Sequence, residues 1–161
     1  MYAKSATLTK KIISIGSKAP KFMLKDQNGA VVRLSDFLGR KVILYFYVRD
    51  DTPGCTRQAC EFRDDMDSLR RRNIIVLGIS PDSVDSHKRF VEKHNLKFPL
   101  LADEDAKLAK KYGVWAKKNM YGRTFYGIIR STFVIDEEGR IMREYRRVKV
   151  EGHLGRVLKE F

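Results

Sequence analysis

The run Val42-Ile43-Leu44-Tyr45-Phe46-Tyr47-Val48, continued by Arg49-Asp50-Asp51-Thr52-Pro53-Gly54-Cys55-Thr56-Arg57-Gln58-Ala59-Cys60, decides the fold. The first part is apolar or aromatic throughout and leaves no polar face for water. Such a run forms a central strand buried on both faces of a sheet. The second part turns out of that strand and opens a helix that reads on to about Arg72. A strand feeding straight into a helix places the loop between them at the carboxyl edge of the sheet, where open α/β sheets bind their ligands.

Working outward, the remaining segments supply the rest of a sheet. Towards the N-terminus, residues 35–39 read as a short turn or one helical turn. Before them, Phe22-Met23-Leu24 and Val31-Val32-Arg33-Leu34 flank Asp26-Gln27-Asn28-Gly29, a β-hairpin with Asn-Gly in its turn. Residues 1–15 are polar with three isoleucines and form an N-terminal arm or an added strand. Towards the C-terminus, residues 74–79 are a second buried strand. Residues 83–94 are a helix with Ser80, Asp82 or Ser83 as N-cap. Pro99-Leu100-Leu101 is a short strand, and residues 103–112 are a helix ended by Gly113. Residues 114–127 read as a long loop around Trp115. Residues 131–135 and 141–145 are strands joined by the turn Asp136-Glu137-Glu138-Gly139, and residues 154–161 are a last helix. Helical crossovers make the middle strands parallel, and the late hairpin adds antiparallel ones. The expectation is one α/β domain over residues 16–161, a mixed sheet flanked by helices and similar to the thioredoxin fold.

The chemistry is concentrated in two cysteines. Cys55 falls in the first helical turn, where unpaired backbone N–H groups and the positive dipole end favour a thiolate. Thr52, three residues upstream, brings a hydroxyl able to donate to the sulfur or to a bound oxygen. Cys55, Ala59, Phe62, Met66 and Leu69 recur at helical spacing and share the core-facing side. Cys60 is rotated off that face among Arg63, Asp64, Asp67 and Arg71. Cys55 is therefore expected in a sheltered pocket and Cys60 nearer solvent. In an intact helix their Cα atoms lie about 8.6 Å apart. A disulfide needs less than about 7 Å, so bridging them requires the first turn to unwind. Two small core residues remain an alternative, although the polar company of Cys60 argues against it. A zinc site needs two more ligands, and His87, His94 and His153 have no short-spaced ligand company.

With 161 residues the chain is one domain's worth, and 43% hydrophobic with 33% charged residues suits a globular protein. No window reaches the apolar length of a membrane span. Residues 1–18 hold no run of the kind a secretory leader carries, which points to the cytoplasm. The net charge of +13 is compatible with nucleic-acid binding or with an ion-rich solvated surface. The basic residues are spread along the chain and no nucleic-acid motif accompanies them, so no specific nucleic-acid partner is expected.

These residues resemble the peroxiredoxins, and among them the bacterioferritin comigratory protein subfamily, also called peroxiredoxin Q. The resemblance runs from about Gly16 to Phe161. It is carried by Asp50-Asp51-Thr52-Pro53-Gly54-Cys55-Thr56 with Cys60 five residues on, and by Gly78-Ile79-Ser80-Pro81-Asp82. Further on it is carried by Phe98-Pro99-Leu100-Leu101-Ala102-Asp103, and by Tyr121-Gly122-Arg123-Thr124-Phe125 leading to Arg130-Ser131-Thr132-Phe133-Val134-Ile135-Asp136. The resemblance implies a thiol-dependent peroxidase that reduces hydrogen peroxide and organic hydroperoxides. It implies that Cys55 is the peroxidatic cysteine, forming a sulfenic acid, and that Cys60 resolves it as an intramolecular disulfide. It implies that Thr52 orients the peroxide and that Arg130 holds the thiolate. Pro53 and Gly54 line the substrate position. A thioredoxin-like dithiol protein is the implied reductant, with no metal or other cofactor. A monomer or a homodimer fits this pattern. The family motif has a proline seven residues before the cysteine; Val48 stands there in this chain.

Overall fold

The computed structural model describes residues 13–161; the arm expected over residues 1–15 falls mostly outside them. Of that arm Ile13 is buried in the core while Ile15 is exposed, and just beyond it the Gly16 amide bonds the carbonyl of Ile141 at 2.8 Å.

Nine strands and five α-helices follow one another along the described residues. Strands β1 (Met23–Lys25) and β2 (Val31–Arg33) form the expected antiparallel hairpin. The Asp26 carboxylate accepts from the amides of Asn28 and Ala30 and fixes its turn. A 3-10 turn over Leu34–Phe37 leads into β3 (Lys41–Phe46). Then come α1 (Pro53–Asp64), α2 (Met66–Arg71), β4 (Ile74–Ser80), α3 (Val84–His94), β5 (Leu100–Ala102) and α4 (Lys107–Lys111). The chain closes with β6 (Trp115–Met120), β7 (Arg123–Ile128), β8 (Ser131–Ile135), β9 (Ile141–Arg146) and α5 (His153–Leu158).

Seven strands make one mixed sheet in the order β2-β1-β5-β4-β3-β8-β9. Strands β3, β4 and β5 are parallel, and β8 runs antiparallel to β3. The expected thioredoxin-like sheet is present. Its centre explains the apolar run: alternate residues of β3 enter two cores. Val42, Leu44 and Phe46 pack on one face with Tyr112 and Phe133. Ile43 and Tyr45, followed by Tyr47, pack on the other with Cys55, Ala59 and Phe62. Tyr45 lies opposite Gly78 of β4. A Cβ on Gly78 would come within 2.9 Å of the Tyr45 ring, so only glycine leaves that ring its place.

Four local expectations are corrected. The helix expected to run on to about Arg72 is two helices, divided at Asp65 (φ −97°, ψ 3°). Core-facing spacing continues across the break, which is why the pattern alone concealed it. The helix expected over residues 103–112 begins only at Lys107. Asp103 is instead a buried cap whose carboxylate accepts from the amides of Leu108 and Ala109. The apolar run ends its strand at Phe46, and Val48 lies beyond it, exposed. The long loop expected over residues 114–127 is largely a two-stranded hairpin, β6–β7. Tyr121 (φ 52°) and Gly122 (φ 76°) form its turn, both in the left-handed region that a tight two-residue hairpin demands. The β-prone Thr124-Phe125-Tyr126 and the glycine at 122 were its only signals.

Candidate active site

Cys55 stands at the third position of α1, behind Pro53 and Gly54. Proline suits this start because its missing N–H has no intrahelical acceptor there anyway. The first intrahelical bond runs from the Thr56 amide to the Thr52 carbonyl at 2.8 Å. The amides of Gly54 and Cys55 are thus left over at the positive end of the helix dipole. The cysteine itself is buried, while Cys60 is only partly so, as the helical spacing required.

Arg130 reaches this helix from the start of the strand next to β3. It precedes Ser131, the first residue of β8, which pairs with Phe46, the last residue of β3. Antiparallel pairing therefore sets the beginning of β8 beside the loop that leads to Cys55. The Val148 amide bonds the Arg130 carbonyl at 2.9 Å and pins the backbone. The guanidinium donates through Nη2 to Cys55 Sγ at 3.0 Å and through Nη1 to Gln58 Oε1 at 2.6 Å. Gly54 lies alongside it: a Cβ there would make an ordinary contact, 3.5 Å from Nη2.

Gln58 was missed from the sequence. It is buried, three residues after Cys55, on the shoulder of the core-facing side of α1. A guanidinium can only donate, so Gln58 must turn its oxygen to Arg130. Among the described residues its Nε2 then has no acceptor. Thr52 is the N-cap residue of α1, and its hydroxyl donates to the Arg49 carbonyl at 3.0 Å rather than to the sulfur. The oxygen keeps its lone pairs, and rotation of the hydroxyl is all that separates this bond from one to an incoming oxygen. Trp115 packs against the core under the opposite sheet face. Met120 and Phe125 are exposed on the hairpin.

The loop before Cys55 is anchored by a buried polar cluster. The Asp50 carboxylate accepts from the Tyr47 hydroxyl at 2.5 Å and the Ser86 hydroxyl at 2.8 Å, and it faces His87 Nδ1 at 2.7 Å. His87 Nε2 donates to the Leu101 carbonyl at 3.0 Å, so a single proton is shared between Nδ1 and Asp50. The Asp50 amide in turn donates to Asp82 at 2.8 Å. Burial, with Asp50 next, pushes the Tyr47 phenol well above its ordinary value and keeps it a donor. Asp50, Asp82 and His87 bring three potential metal-ligating atoms within 4.8 Å of one another. Asp50 and His87 spend all of theirs on these hydrogen bonds, so the cluster works as a loop anchor. Asp51 ties the same loop to the end of α3 through Lys93 at 2.7 Å and His94 at 3.1 Å.

A buried sulfur, a helix N-terminus and a guanidinium in contact with that sulfur can hold a thiolate and polarise an oxygen brought to it. Comparisons with known proteins agree with this chemistry. The AhpC/TSA family matches residues 15–144. Peroxiredoxin Bcp of Bacillus subtilis is 48% identical over 147 residues, covering 91% of this chain and 94% of its own. A structure of the bacterioferritin comigratory protein of Xanthomonas campestris, concerned with its alkyl peroxide reduction activity, superposes with a TM-score of 0.85. That protein is 34% identical, and the match covers 91% of this chain and 96% of the other. A cysteine-to-serine mutant of PrxQ from Xylella fastidiosa superposes with a TM-score of 0.88 at 37% identity, over 93% of this chain and 96% of its own.

Proposed function

The chain belongs to the AhpC/TSA family, among the Bcp and PrxQ peroxiredoxins, and is a thiol-dependent peroxidase; from that membership we propose that Cys55 is the peroxidatic thiol and Cys60 its resolving partner. The observation that carries this reading is the 3.0 Å contact between Arg130 Nη2 and Cys55 Sγ, in the first turn of a helix. The Cys55 thiolate attacks the terminal oxygen of a hydroperoxide. The O–O bond breaks, the other oxygen, which carries the organic group or a hydrogen, leaves with the bonding pair and takes up a proton to give an alcohol or water, and Cys55 keeps the terminal oxygen as a sulfenic acid. Arg130 and the free amides of Gly54 and Cys55 stabilise the charge that moves to the leaving oxygen. Thr52 turns its hydroxyl to orient the peroxide, and Pro53 and Gly54 form the wall beside it.

Cys60 then attacks the Cys55 sulfur as a thiolate. The S–S bond forms, and hydroxide leaves and is protonated to water. The first turn of α1 must open for this, because about 8.6 Å separates the two Cα positions of an intact helix. A thioredoxin-like dithiol protein reduces the disulfide and is itself oxidised. Hydrogen peroxide and organic hydroperoxides both serve, and the cytoplasm, with its supply of dithiol reductants, is the proposed setting. Among the described residues no helix is long and apolar enough to cross a membrane.

Two variants test the division of labour. Cys55→Ser is expected to abolish peroxide consumption. Cys60→Ser is expected to retain one stoichiometric turnover and to accumulate a sulfenic acid, read by dimedone labelling and mass spectrometry. Full activity in Cys55→Ser, or no sulfenic acid in Cys60→Ser after its single turnover, overturns the assignment.

A further inference from the structure

Arg143, Arg146, Arg147 and Lys149 gather positive charge at and just beyond the end of β9, and the peroxidase chemistry uses none of them. The chain bends there. Arg147 takes a left-handed conformation (φ 53°), and the Val148 amide donates to the Arg130 carbonyl at 2.9 Å. Gly152 (φ 72°) then turns the chain into α5. Between the bend and α5 lies a cavity of about 270 Å3 whose lining includes Tyr145, Arg147, Lys149, His153 and Arg156 and no acidic residue.

The charge in this cavity is not balanced by the residues around it. Arg143 and Arg146 are paired, with Glu160 at 2.6 Å and Glu144 at 3.2 Å. Arg147, Lys149 and Arg156 pair with no carboxylate among the described residues. Arg156 meets backbone instead: Nη2 donates to the carbonyls of Lys149 at 3.4 Å and Glu151 at 3.3 Å. A Cβ on Gly152 would come within 3.0 Å of its Nη1, so the guanidinium lies against that turn. His153 forms the buried wall. It is 2% exposed, with Nε2 2.8 Å from Thr132 Oγ1. The buried Thr132 hydroxyl has no other acceptor among the described residues, so it donates to Nε2 and the ring proton sits on Nδ1. Burial, then Arg156 and Arg130, hold the imidazole down at about 4 and leave it neutral at pH 7. Its Nδ1–H has no acceptor among the described residues, and the cavity is where one can reach it.

We propose that this cavity is a binding site for the terminal phosphate of a small soluble molecule. Arg147 and Arg156 supply planar donor forks that suit phosphate oxygens, and Lys149 adds a point charge. His153 Nδ1–H adds a neutral donor that fixes where the group sits. A terminal phosphate carries close to two negative charges at neutral pH and a diester only one, so three unpaired cations favour the former. The volume admits one or two phosphate groups and leaves the rest of the molecule in solvent. The site stands apart from the peroxidase centre. It shares with that centre only Arg130, whose carbonyl holds Val148 while its guanidinium faces Cys55.

Calorimetric titration of the reduced full-length protein with pyrophosphate and with dimethyl phosphate tests this. One pyrophosphate site is expected, with dimethyl phosphate bound at least about tenfold more weakly. Arg156→Gln should weaken pyrophosphate binding about tenfold, and Arg156→Lys by less, since it keeps the charge and loses the fork. Arg89→Gln should stay within about twofold of wild type. Arg89 is an exposed cation on α3, which packs on β5, on the far side of β3 from β9. Arg130→Met should also bind as wild type does, which separates the cavity from the Cys55 site. In NMR spectra pyrophosphate should shift the imidazole resonances of His153 and leave those of His87 and His94 in place. Equal weakening by Arg156→Gln and Arg89→Gln means diffuse attraction to a basic surface and overturns the proposal. Equal affinity for the two probes, loss of binding in Arg130→Met, an unmoved His153, or no binding of pyrophosphate by the wild type overturns it too, and each leaves the peroxidase reading intact.

Discussion

Arg130 divides its guanidinium between Cys55 Sγ and Gln58 Oε1. The buried glutamine orients the arginine, and the arginine faces the sulfur. Replacing it with an uncharged chain of similar length removes the cation beside the thiolate and strands the Gln58 oxygen. Arg130→Met is therefore expected to carry less thiolate at neutral pH, seen as a loss of ultraviolet thiolate absorbance, and to reduce peroxide about a hundredfold more slowly. Arg123 is the control. It is exposed near the tip of the β6–β7 hairpin, and Arg123→Met should stay within about twofold of wild type. Equal thiolate absorbance in wild type and Arg130→Met sinks the assignment. At this scale Cys55 and Cys60 were legible because their types and spacing are rare together. Arg130 was recognisable only through family resemblance, since nothing local to a strand start marks an arginine as functional. Gln58 gave a faint signal as a polar residue on the edge of an apolar helix face.

The first turn of α1 is the element that has to move. It opens with Pro53 and Gly54, both exposed, and is held mainly by Cys55 and Gln58. Beyond it, Phe62 stacks on Tyr45 at 4.7 Å between ring centroids, and Met66 and Leu69 are buried in the same core. The separation of α1 from α2 at Asp65 gives unwinding a natural limit. Oxidation to a Cys55–Cys60 disulfide is expected to strip hydrogen-exchange protection from amides 56–61. Amides 66–70 should keep theirs. The opening should cost a few kcal/mol at most, as local unfolding does. A protected first turn in the disulfide form, or a Cys55–Cys55 intermolecular dimer as the main oxidised product, refutes this switch.

Across the whole molecule, the sheet separates two cores and joins them to the site through β3 and β8. His153 sits where α5 covers β8. It is buried, with Nε2 2.8 Å from Thr132 Oγ1. Burial first, then Arg156 and Arg130, push its imidazole down from 6.5 to about 4. The unfolded chain therefore takes up this proton more readily than the folded one between those values. The histidine's contribution to stability is complete above about pH 6.5, falls away as pH drops toward about 4, and changes no further below. In denaturant titrations across that range, His153→Gln should lose about 1–2 kcal/mol less stability than wild type does. Glutamine keeps a hydrogen-bonding group for Thr132 and cannot be protonated there. Parallel stability curves for the two proteins exclude the histidine as the cause.

The amino-acid sequence by itself determined the buried parallel strands, the hairpin at residues 23–33, the late hairpin and the helix that begins before Cys55. These rest on periodicity and turn chemistry, which act between near neighbours in the chain. It also placed Cys55 inward and Cys60 outward, because a helix fixes the angle between positions. The β6–β7 hairpin escaped because Tyr121 takes a left-handed conformation that its type seldom adopts, and only pairing along the two strands compensates for that. Arg130 bridging Cys55 and Gln58, and Lys118 folded across Gly127, were decided by tertiary structure alone. Antiparallel pairing of β8 with β3 brings together groups 75 residues apart. Contacts of that range follow from how the strands are ordered in the sheet, and no local pattern in the chain encodes that order.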